Sequence, residues 1–154
     1  MPSPGAVILR SDVTRKRLFG VSETTVLPEQ AYLPDVTKRV YDMLENSAQR
    51  ILAQGCSVVL DAAFLQEAER AEPARLARRC GAGFVGLFLT ADLATRLARI
   101  GQRTGDASDA TRDVGLKQET FAIGAVGWNI VDASGTPDQS LQRARASLPA
   151  PNEG

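Results

Sequence analysis

The chain has 154 residues, no histidine, and eighteen basic residues that balance eighteen acidic ones. Its length predicts a single domain, and 44% hydrophobic with 23% charged residues is typical of a globular fold. Neutral net charge excludes a general attraction for nucleic acid or an anionic membrane, and the lack of histidine excludes Ser-His-Asp and Cys-His nucleophiles and imidazole-based zinc sites.

The first half of the chain predicts two strands separated by helices. The apolar run 6–9 indicates a strand, followed by a short helix with Ser11 as its N-cap. Residues 20–33 lack periodicity and predict a loop of the length that is often functional. Pro34 opens a long amphipathic helix that ends at Gly55, and 56–61 is an apolar run that ends in a carboxylate.

The second half repeats this alternation. A helix is predicted over 67–80 with Pro73 near its first turn or at a kink, then a buried strand over 84–89. Apolar spacing predicts a helix beginning near 93, and the glycine-rich, charged segment 101–112 predicts a lid-like loop. Further elements are predicted over 112–121 (helix), 129–132 (strand) and 137–146 (helix). The pattern indicates one α/β domain over 1–148, with a parallel sheet, helices on both faces and a flexible tail at 149–154.

The location indicated by the sequence is the cytoplasm. No apolar run approaches the roughly 20 residues that cross a bilayer, so neither a membrane segment nor a signal peptide is expected. Cys56 and Cys80 follow no C-x-x-C spacing and lie in apolar segments, which predicts free thiols in a reducing compartment.

Four segments carry a family resemblance. They are A-V-I-L-R-S-D-V-x-R-K-R-L-F-G at 6–20, S-V-V-L-D-A-A-F at 57–64, R-x-G-D-A-S-D-A at 103–110 and W-N-I-V-D-A-S-G at 128–135. Together they resemble the P-loop kinase domain of AAA-type ATP-binding proteins, which is often fused to an aminoglycoside phosphotransferase-like domain and is more distantly similar to zeta toxin and gluconate kinase.

The sequence contains no G-x-x-x-x-G-K-[ST], the Walker A loop whose backbone N–H groups cradle nucleotide phosphates. In the kinases that the chain resembles, a strand, this loop and a helix precede the residues that match Ala6, which predicts a kinase truncated at Met1. That strand lies in the middle of the family's sheet, between the strands that match 57–61 and 84–90. Its loss predicts an opened sheet with three possible outcomes: direct pairing of these two strands, a strand supplied by another chain, or a domain that is only marginally folded. Direct pairing or a homodimer is the favoured outcome.

The resemblance assigns catalytic roles to three residues. Asp12 matches an acid that orients or deprotonates the substrate hydroxyl, although a helix-cap carboxylate is the alternative. Arg99 and Arg103 flank the lid and match arginines that neutralise the transferring phosphoryl group, with Arg96 as a weaker third. Without nucleotide they are ordinary solvated arginines.

Binding roles are assigned in the same way. Arg10, Arg15 and Lys16 are predicted to hold a phosphate or an anionic substrate, with ordinary surface charges as the equal alternative. Asp61 resembles a Walker B acid that holds Mg²⁺, or else caps the next turn. No residue is assigned to the nucleotide.

Three further residues have structural expectations. Asp106 and Asp109 are expected to shape the lid and to pair with the arginines that flank it, or else to belong to a plain polar loop. Trp128 is expected in the core rather than beside an adenine.

Two functions follow. The first is an ATP-dependent small-molecule kinase, acting on a hydroxyl with ATP and Mg²⁺ as cofactors if the missing loop is supplied, and inactive alone. The second is a non-catalytic remnant that binds a protein partner or an anionic ligand. Neither nucleic acid nor a membrane is an expected partner, and the identity of the phosphate acceptor is left open.

Overall fold

The computed structural model describes residues 5–102 and 104–149. Its strands are Ala6–Arg10 (β1), Ser57–Asp61 (β2), Leu87–Thr90 (β3) and Asn129–Asp132 (β4). Its helices are Ser11–Leu18 (α1), Pro34–Ala53 (α2), Glu67–Arg79 (α3), Leu93–Gln102 (α4), Arg112–Glu119 (α5) and Pro137–Ala146 (α6), with a 3-10 turn at Glu29–Tyr32. The alternation of parallel strands and helices confirms the predicted α/β class and is consistent with a P-loop kinase-like fold.

The long helix α2 forms the centre of the first half. Pro34 begins it, and Val40, Leu44 and Ala48 recur at four-residue spacing and are buried. The helix contacts both β1 and β2, so this apolar stripe covers one face of their sheet. Gly55 adopts a φ of 77° just after the helix, a left-handed conformation that glycine adopts without steric cost.

Two local predictions need correction. Ser11 is the first residue of α1, and the N-cap is Arg10, whose extended backbone is the end of β1. Pro73 lies inside α3 and is buried, so the first of its two predicted places, near the first turn, is wrong, and a kink stays a prediction. For the N-cap of α1 and for Pro73, contacts in the folded chain override the preference of the local sequence.

The strands form two separate parallel pairs. β1 pairs with β2 from Ala6 opposite Ser57 to Arg10 opposite Asp61, and β3 pairs with β4. Throughout the described residues β2 and β3 share no ladder, so the predicted direct pairing of these two strands is wrong. The physical reason is that side-chain hydrogen bonds and aromatic contacts join the two halves, and no strand ladder runs between them in the described residues.

Arg70 is one link between the halves. Its side chain is 4% exposed and donates to the carbonyls of Phe64 at 2.7 Å, Leu65 at 2.9 Å and Ala125 at 3.1 Å, and also to that of Ile123. The guanidinium lies 5.6 Å from the centre of the Phe88 ring. Arg70 therefore ties the loop after β2 to the segment before β4.

An aromatic cluster supports the same junction. The Trp128 ring meets Phe64 edge-on at 5.0 Å and Phe84 at 5.8 Å between centroids, and Tyr41 meets Phe64 at 5.5 Å. Trp128 is only half-buried, so it packs among aromatic rings at the margin of the core.

Cys56 and Cys80 are free thiols. Within the described ranges every helix is too short or too polar to cross a bilayer.

Substitution of Gly86 by alanine is expected to destabilise the fold by about 1–3 kcal/mol, the usual cost of overpacking a well-packed site. A methyl group at position 86 would lie 2.3 Å from Cγ of Trp128, which would have to move. Urea unfolding followed by fluorescence reports directly on this contact, because the chain has a single tryptophan. Gly83→Ala is the control, since no atom lies within 4 Å of its added methyl group. Equal stability of the two variants would contradict the packing described.

Candidate functional site

The candidate site lies at the carboxyl ends of β1 and β2. Arg10 ends β1 and Asp61 ends β2, and the two are opposite each other in the ladder. Arg10 Nε lies 3.3 Å from Asp61 Oδ2. This edge of a parallel sheet is where α/β proteins bind their ligands. The structure therefore brings together two of the residues that the sequence predicted for a site.

Asp12 lies next to this pair, in the first turn of α1. Its carboxyl is half-buried, and burial raises its pKa above the ordinary aspartate value. The charges of Arg10 and Arg15 and a hydrogen bond from Ser108 oppose this shift without cancelling it. A carboxylate with a raised pKa is a stronger base than a solvated one, which is the property that a general base needs.

A short lid closes over these residues. Arg10 Nη2 donates to Asp106 Oδ1 at 2.8 Å, and Lys16 Nζ donates to Asp109 Oδ1 at 2.5 Å. Asp109 Oδ2 also accepts from the backbone N–H of Leu27 at 3.0 Å and from the Tyr32 hydroxyl. The lid is therefore docked on α1 and on the 20–33 loop.

These contacts correct the prediction for the lid carboxylates. Asp106 and Asp109 were expected to pair with the arginines that flank the lid or to belong to a plain polar loop. Among the described residues they pair with cations of β1 and α1, and Arg99 donates to the Gly135 carbonyl. Hydrogen bonds from Arg10 hold the pKa of Asp106 below its usual value. Burial alone would raise the pKa of Asp109, but the hydrogen bonds from Lys16, Tyr32 and Leu27 outweigh it and lower the pKa.

Two predicted substrate-binding cations have internal partners. Lys16 is 1% exposed and donates to the Thr25 carbonyl as well as to Asp109. Arg15 is 6% exposed, donates to the Ala31 carbonyl at 2.6 Å and lies 4.8 Å from the centre of the Tyr32 ring. In this conformation Arg15 and Lys16 both hold the 20–33 loop. Of the three cations predicted to bind substrate, Arg10 has a partly exposed side chain, and it lies beside Asp12.

Two of the predicted phosphate-binding arginines, Arg99 and Arg96, have partners outside this cluster. Arg99 Nη2 donates to the Gly135 carbonyl at 2.6 Å, beyond the end of β4, and Arg96 pairs with Glu119. Arg103 lies outside the described residues. Arg99 is therefore at the carboxyl end of the other strand pair, and its predicted catalytic role stays a prediction.

Sequence reasoning missed two residues at the site, Ser108 and Tyr32. Ser108 contacts Asp12 from the lid, and Tyr32 donates to Asp109 from the 3-10 turn. Ser108 belongs to the R-x-G-D-A-S-D-A segment, which could have drawn attention to it. Tyr32 had no comparable signal, because a lone tyrosine in a loop predicts no particular partner.

Removal of the Arg10 charge is expected to raise the pKa of Asp12 further. The guanidinium favours the ionised carboxylate, so Arg10→Gln removes a stabilising charge and shifts the Asp12 titration to higher pH. Titration of the side-chain carboxyl carbons by NMR measures this without any enzyme activity. Arg39→Gln, an exposed change on α2, is the control and leaves the Asp12 titration in place. An Asp12 pKa below the ordinary aspartate value in the unsubstituted chain would contradict the burial described.

The fold and the acid at the strand end define a P-loop kinase-like α/β domain. A family model described as an AAA domain matches residues 1–121, more than three quarters of the chain. The chain therefore belongs to this family of AAA domains. None of the curated proteins compared with the chain matches it.

Proposed function

We propose that the chain forms the acceptor side of an ATP-dependent phosphotransferase that acts on a hydroxyl group of a small molecule. One observation carries the proposal: Asp12 is half-buried with a raised pKa, and it lies beside the Arg10–Asp61 pair at the carboxyl end of β1. Membership in the AAA domain family supports a nucleotide kinase-like domain.

The proposed reaction assigns one proton to Asp12. The substrate hydroxyl oxygen attacks the γ-phosphorus, its proton passes to the Asp12 carboxylate, and the bond from the γ-phosphorus to the bridging oxygen breaks to release ADP. Bound Mg·ATP supplies the phosphoryl group and the metal charge that the transfer needs. The lid is docked on Arg10 through Asp106, next to Asp12, and we propose that it limits the access of water to the Asp12 carboxylate.

Asp61 is compatible with a magnesium role. Mg²⁺ usually keeps several waters and takes one or two carboxylates together with substrate phosphates. The Asp61 side chain is 60% exposed, so it can reach a nucleotide-bound ion, although Arg10 contacts it in the present arrangement. No group of three or more potential ligands is clustered within the residues that the structure describes. A metal here would therefore depend on the phosphates for its remaining ligands.

We propose further that the 154-residue chain has no kinase activity by itself. Its sequence has no Walker A loop, and the side chain of Arg99 donates to the Gly135 carbonyl. Single preorganised donors at charged transition states are worth about 10²–10³ in rate, so the loss of a whole phosphate cradle removes detectable turnover. A cytoplasmic location remains a prediction.

The test joins the chain to the strand, glycine-rich loop and helix of another AAA domain of the matched family. Phosphate transfer from ATP to a panel of polyols, sugars and amino alcohols is expected from the joined protein. Asp12→Asn is expected to lower kcat by about 10²–10⁴ because it removes the proton acceptor. Asp35→Asn is the matched control, since Asp35 occupies the first turn of α2 as Asp12 does in α1. Equal kcat for both variants would exclude Asp12 as the base.

A second candidate, a protein-binding role without catalysis, is favoured by one observation. Large apolar side chains are exposed on the strands of both sheets. The anion-binding form of this candidate has less support, because Arg15 and Lys16 are buried against internal partners.

A further inference from the structure

The ring of Tyr32 is held in place at three points. The Arg15 guanidinium lies over one face of the ring, 4.8 Å from its centre. The hydroxyl donates to Asp109 of the lid, and the backbone carbonyl of Tyr32 accepts from the Thr37 hydroxyl at 3.4 Å. Burial of the phenol and its hydrogen bond to Asp109 raise the pKa of Tyr32 well above the ordinary tyrosine value, so the hydroxyl stays a donor. The 3-10 turn thus presents an aromatic ring in a fixed position.

The face of this ring opposite Arg15 is open. Tyr32 is 39% exposed, whereas Arg15 is only 6% exposed. Because a buried group covers one face and the lid holds the hydroxyl edge, the exposed part of the ring lies on the opposite side. A fixed aromatic ring with one face in water is a surface on which a flat apolar ligand face can pack.

The first connection between this ring and the candidate site runs through α1. Asp12 and Arg15 are three positions apart on the helix, a spacing at which Cβ atoms lie about 5–6 Å apart. The charge of Arg15 opposes the rise in pKa both of the Asp12 carboxyl and of the Tyr32 phenol. The guanidinium is therefore close to the proposed base and to the open ring.

The lid makes the second connection. Asp106 pairs with Arg10, which lies beside Asp12, and Asp109 accepts from the Tyr32 hydroxyl. Three residues of extended chain span at most about 11 Å, so one short segment contacts both places. Asp12 and Tyr32 therefore adjoin the same part of the lid.

The charges of the site indicate the polarity of its ligand. Asp12 and Asp61 accept hydrogen bonds when ionised and donate none, so they match a ligand with several hydroxyl donors. Arg10 is already paired with two carboxylates, which disfavours an anionic ligand. A cationic ligand is disfavoured on the ring itself, because the Arg15 charge lies over the other face. A neutral polyol fits these conditions.

The shape of the ring indicates a cyclic ligand. A sugar or cyclitol ring presents one continuous C–H face that packs flat against an aromatic ring. An open-chain polyol has to fix several rotatable bonds to present the same face, and this ordering costs affinity. A nucleobase also stacks on aromatic rings, but it carries no hydroxyl for Asp12.

We propose that Tyr32 binds the phosphate acceptor and that the acceptor is a neutral cyclic polyol, a sugar or a cyclitol, stacked on the open face of the ring with a hydroxyl at Asp12. The inference rests on the proposed function, because it names the acceptor class of that same site. Tyr32 contacts the ligand and takes no part in proton transfer, so it sets the affinity for the acceptor.

The test measures binding to the 154-residue chain without ATP, by isothermal titration and saturation-transfer NMR. The cyclic probes are glucose, galactose and myo-inositol, and the open-chain probes are sorbitol and galactitol. At least one cyclic probe is expected to bind about tenfold more tightly than both open-chain probes, since fewer rotors are fixed. Its ring protons are expected to receive magnetisation from the Tyr32 ring, which is one of only two tyrosines in the chain.

Two variants separate ligand binding from lid docking. Tyr32→Leu removes the ring and is expected to weaken binding of the cyclic probe by about tenfold, within the range that loss of a stacking ring costs. Tyr32→Phe removes only the hydrogen bond to Asp109 and is expected to keep the affinity. Phe19→Leu is the matched control, because Phe19 is a 40% exposed ring at the other end of α1 from Asp12.

The following results overturn the proposal: no binding of any cyclic probe, tighter binding of an open-chain probe, or equal loss of affinity in Tyr32→Leu and Tyr32→Phe. If circular dichroism shows that Tyr32→Leu does not fold, absence of magnetisation transfer from the Tyr32 ring in the unsubstituted chain overturns it.

The same measurements distinguish this inference from the proposed function. Binding without ATP does not depend on phosphoryl transfer, so Asp12→Asn is expected to keep the affinity for the cyclic probe. Transfer by the joined protein to open-chain acceptors alone would overturn the cyclic acceptor and leave the kinase standing. Binding of a cyclic probe on Tyr32 without any transfer in the joined protein would overturn the kinase and leave the binding site.

Discussion

Substitution of Arg70 by methionine is expected to lower the free energy of unfolding by about 3–5 kcal/mol. The change leaves the carbonyl oxygens of Phe64, Leu65, Ile123 and Ala125 without their donor. Each buried polar group left unpaired costs about 1–3 kcal/mol, and partial access of water to some of the four reduces the sum. The loss is large because four carbonyls from two distant segments lose the same buried donor.

Urea unfolding followed by circular dichroism measures this effect. Arg75→Met is the matched control, because Arg75 lies on the same helix, its side chain is 56% exposed, and it pairs only with Glu72 in the described residues. Surface changes of this kind stay within about 0.5 kcal/mol. If Arg70→Met unfolds at the same urea concentration as Arg75→Met, Arg70 does not join the two halves.

Substitution of Asp109 by asparagine is expected to cost about 3–5 kcal/mol, the usual penalty when one partner of a buried ion pair is removed. Lys16, which is 1% exposed, would lose its carboxylate partner. The expected structural result is release of the lid from α1 and the 20–33 loop. Hydrogen exchange of the lid amides measures the release, and urea unfolding measures the energy.

A double variant separates loss of the ion pair from other effects. Lys16→Met combined with Asp109→Asn removes both charges and is expected to recover part of the stability that Asp109→Asn loses. Asp113→Asn serves as the control, since Asp113 is exposed in the first turn of α5. Additive losses in the double variant would show that the two charges do not depend on each other.

The lid contacts also predict the pH dependence of docking. Asp106 and Asp109 have lowered pKa values in the folded chain, so the stabilisation they provide is present above the unfolded aspartate pKa and is lost as pH falls through the folded values. Asp12 has the opposite sign, because its raised pKa makes its ionisation cost stability. A fall in pH is therefore expected to weaken the docking of the lid through Asp106 and Asp109. Protonation of Asp12 over the same fall removes the cost of holding a charge on a half-buried carboxyl.

The sequence predicted those elements whose signals are local. α2 could be placed because Pro34, a four-residue apolar repeat and Gly55 are all encoded within one segment. The lid partners could not be placed, because Asp106 and Asp109 pair with residues more than ninety positions away. Nearness along the chain favoured Arg99 and Arg103 as partners, whereas the tertiary fold brings Arg10 and Lys16 to these carboxylates.

Arg70 shows a second limit. Within E-A-E-R-A-E it reads as a solvated helix residue, because buried arginines are rare and acids flank it on both sides. Its burial depends on carbonyls from a segment more than fifty positions later. The separation of β2 from β3 was missed for a related reason, since strand pairing between distant segments is a property of the whole fold.

We propose that Asp12 serves a phosphate-acceptor site, and the 154-residue sequence contains no Walker A loop to hold the nucleotide. Isothermal titration with Mg·ATP tests this proposal most directly, using this chain beside the form joined to the strand, glycine-rich loop and helix of another AAA domain. We expect no saturable binding by the chain alone and micromolar binding by the joined form, retained in Asp12→Asn. Micromolar binding by the chain alone, or none by a folded joined form, would contradict the proposal.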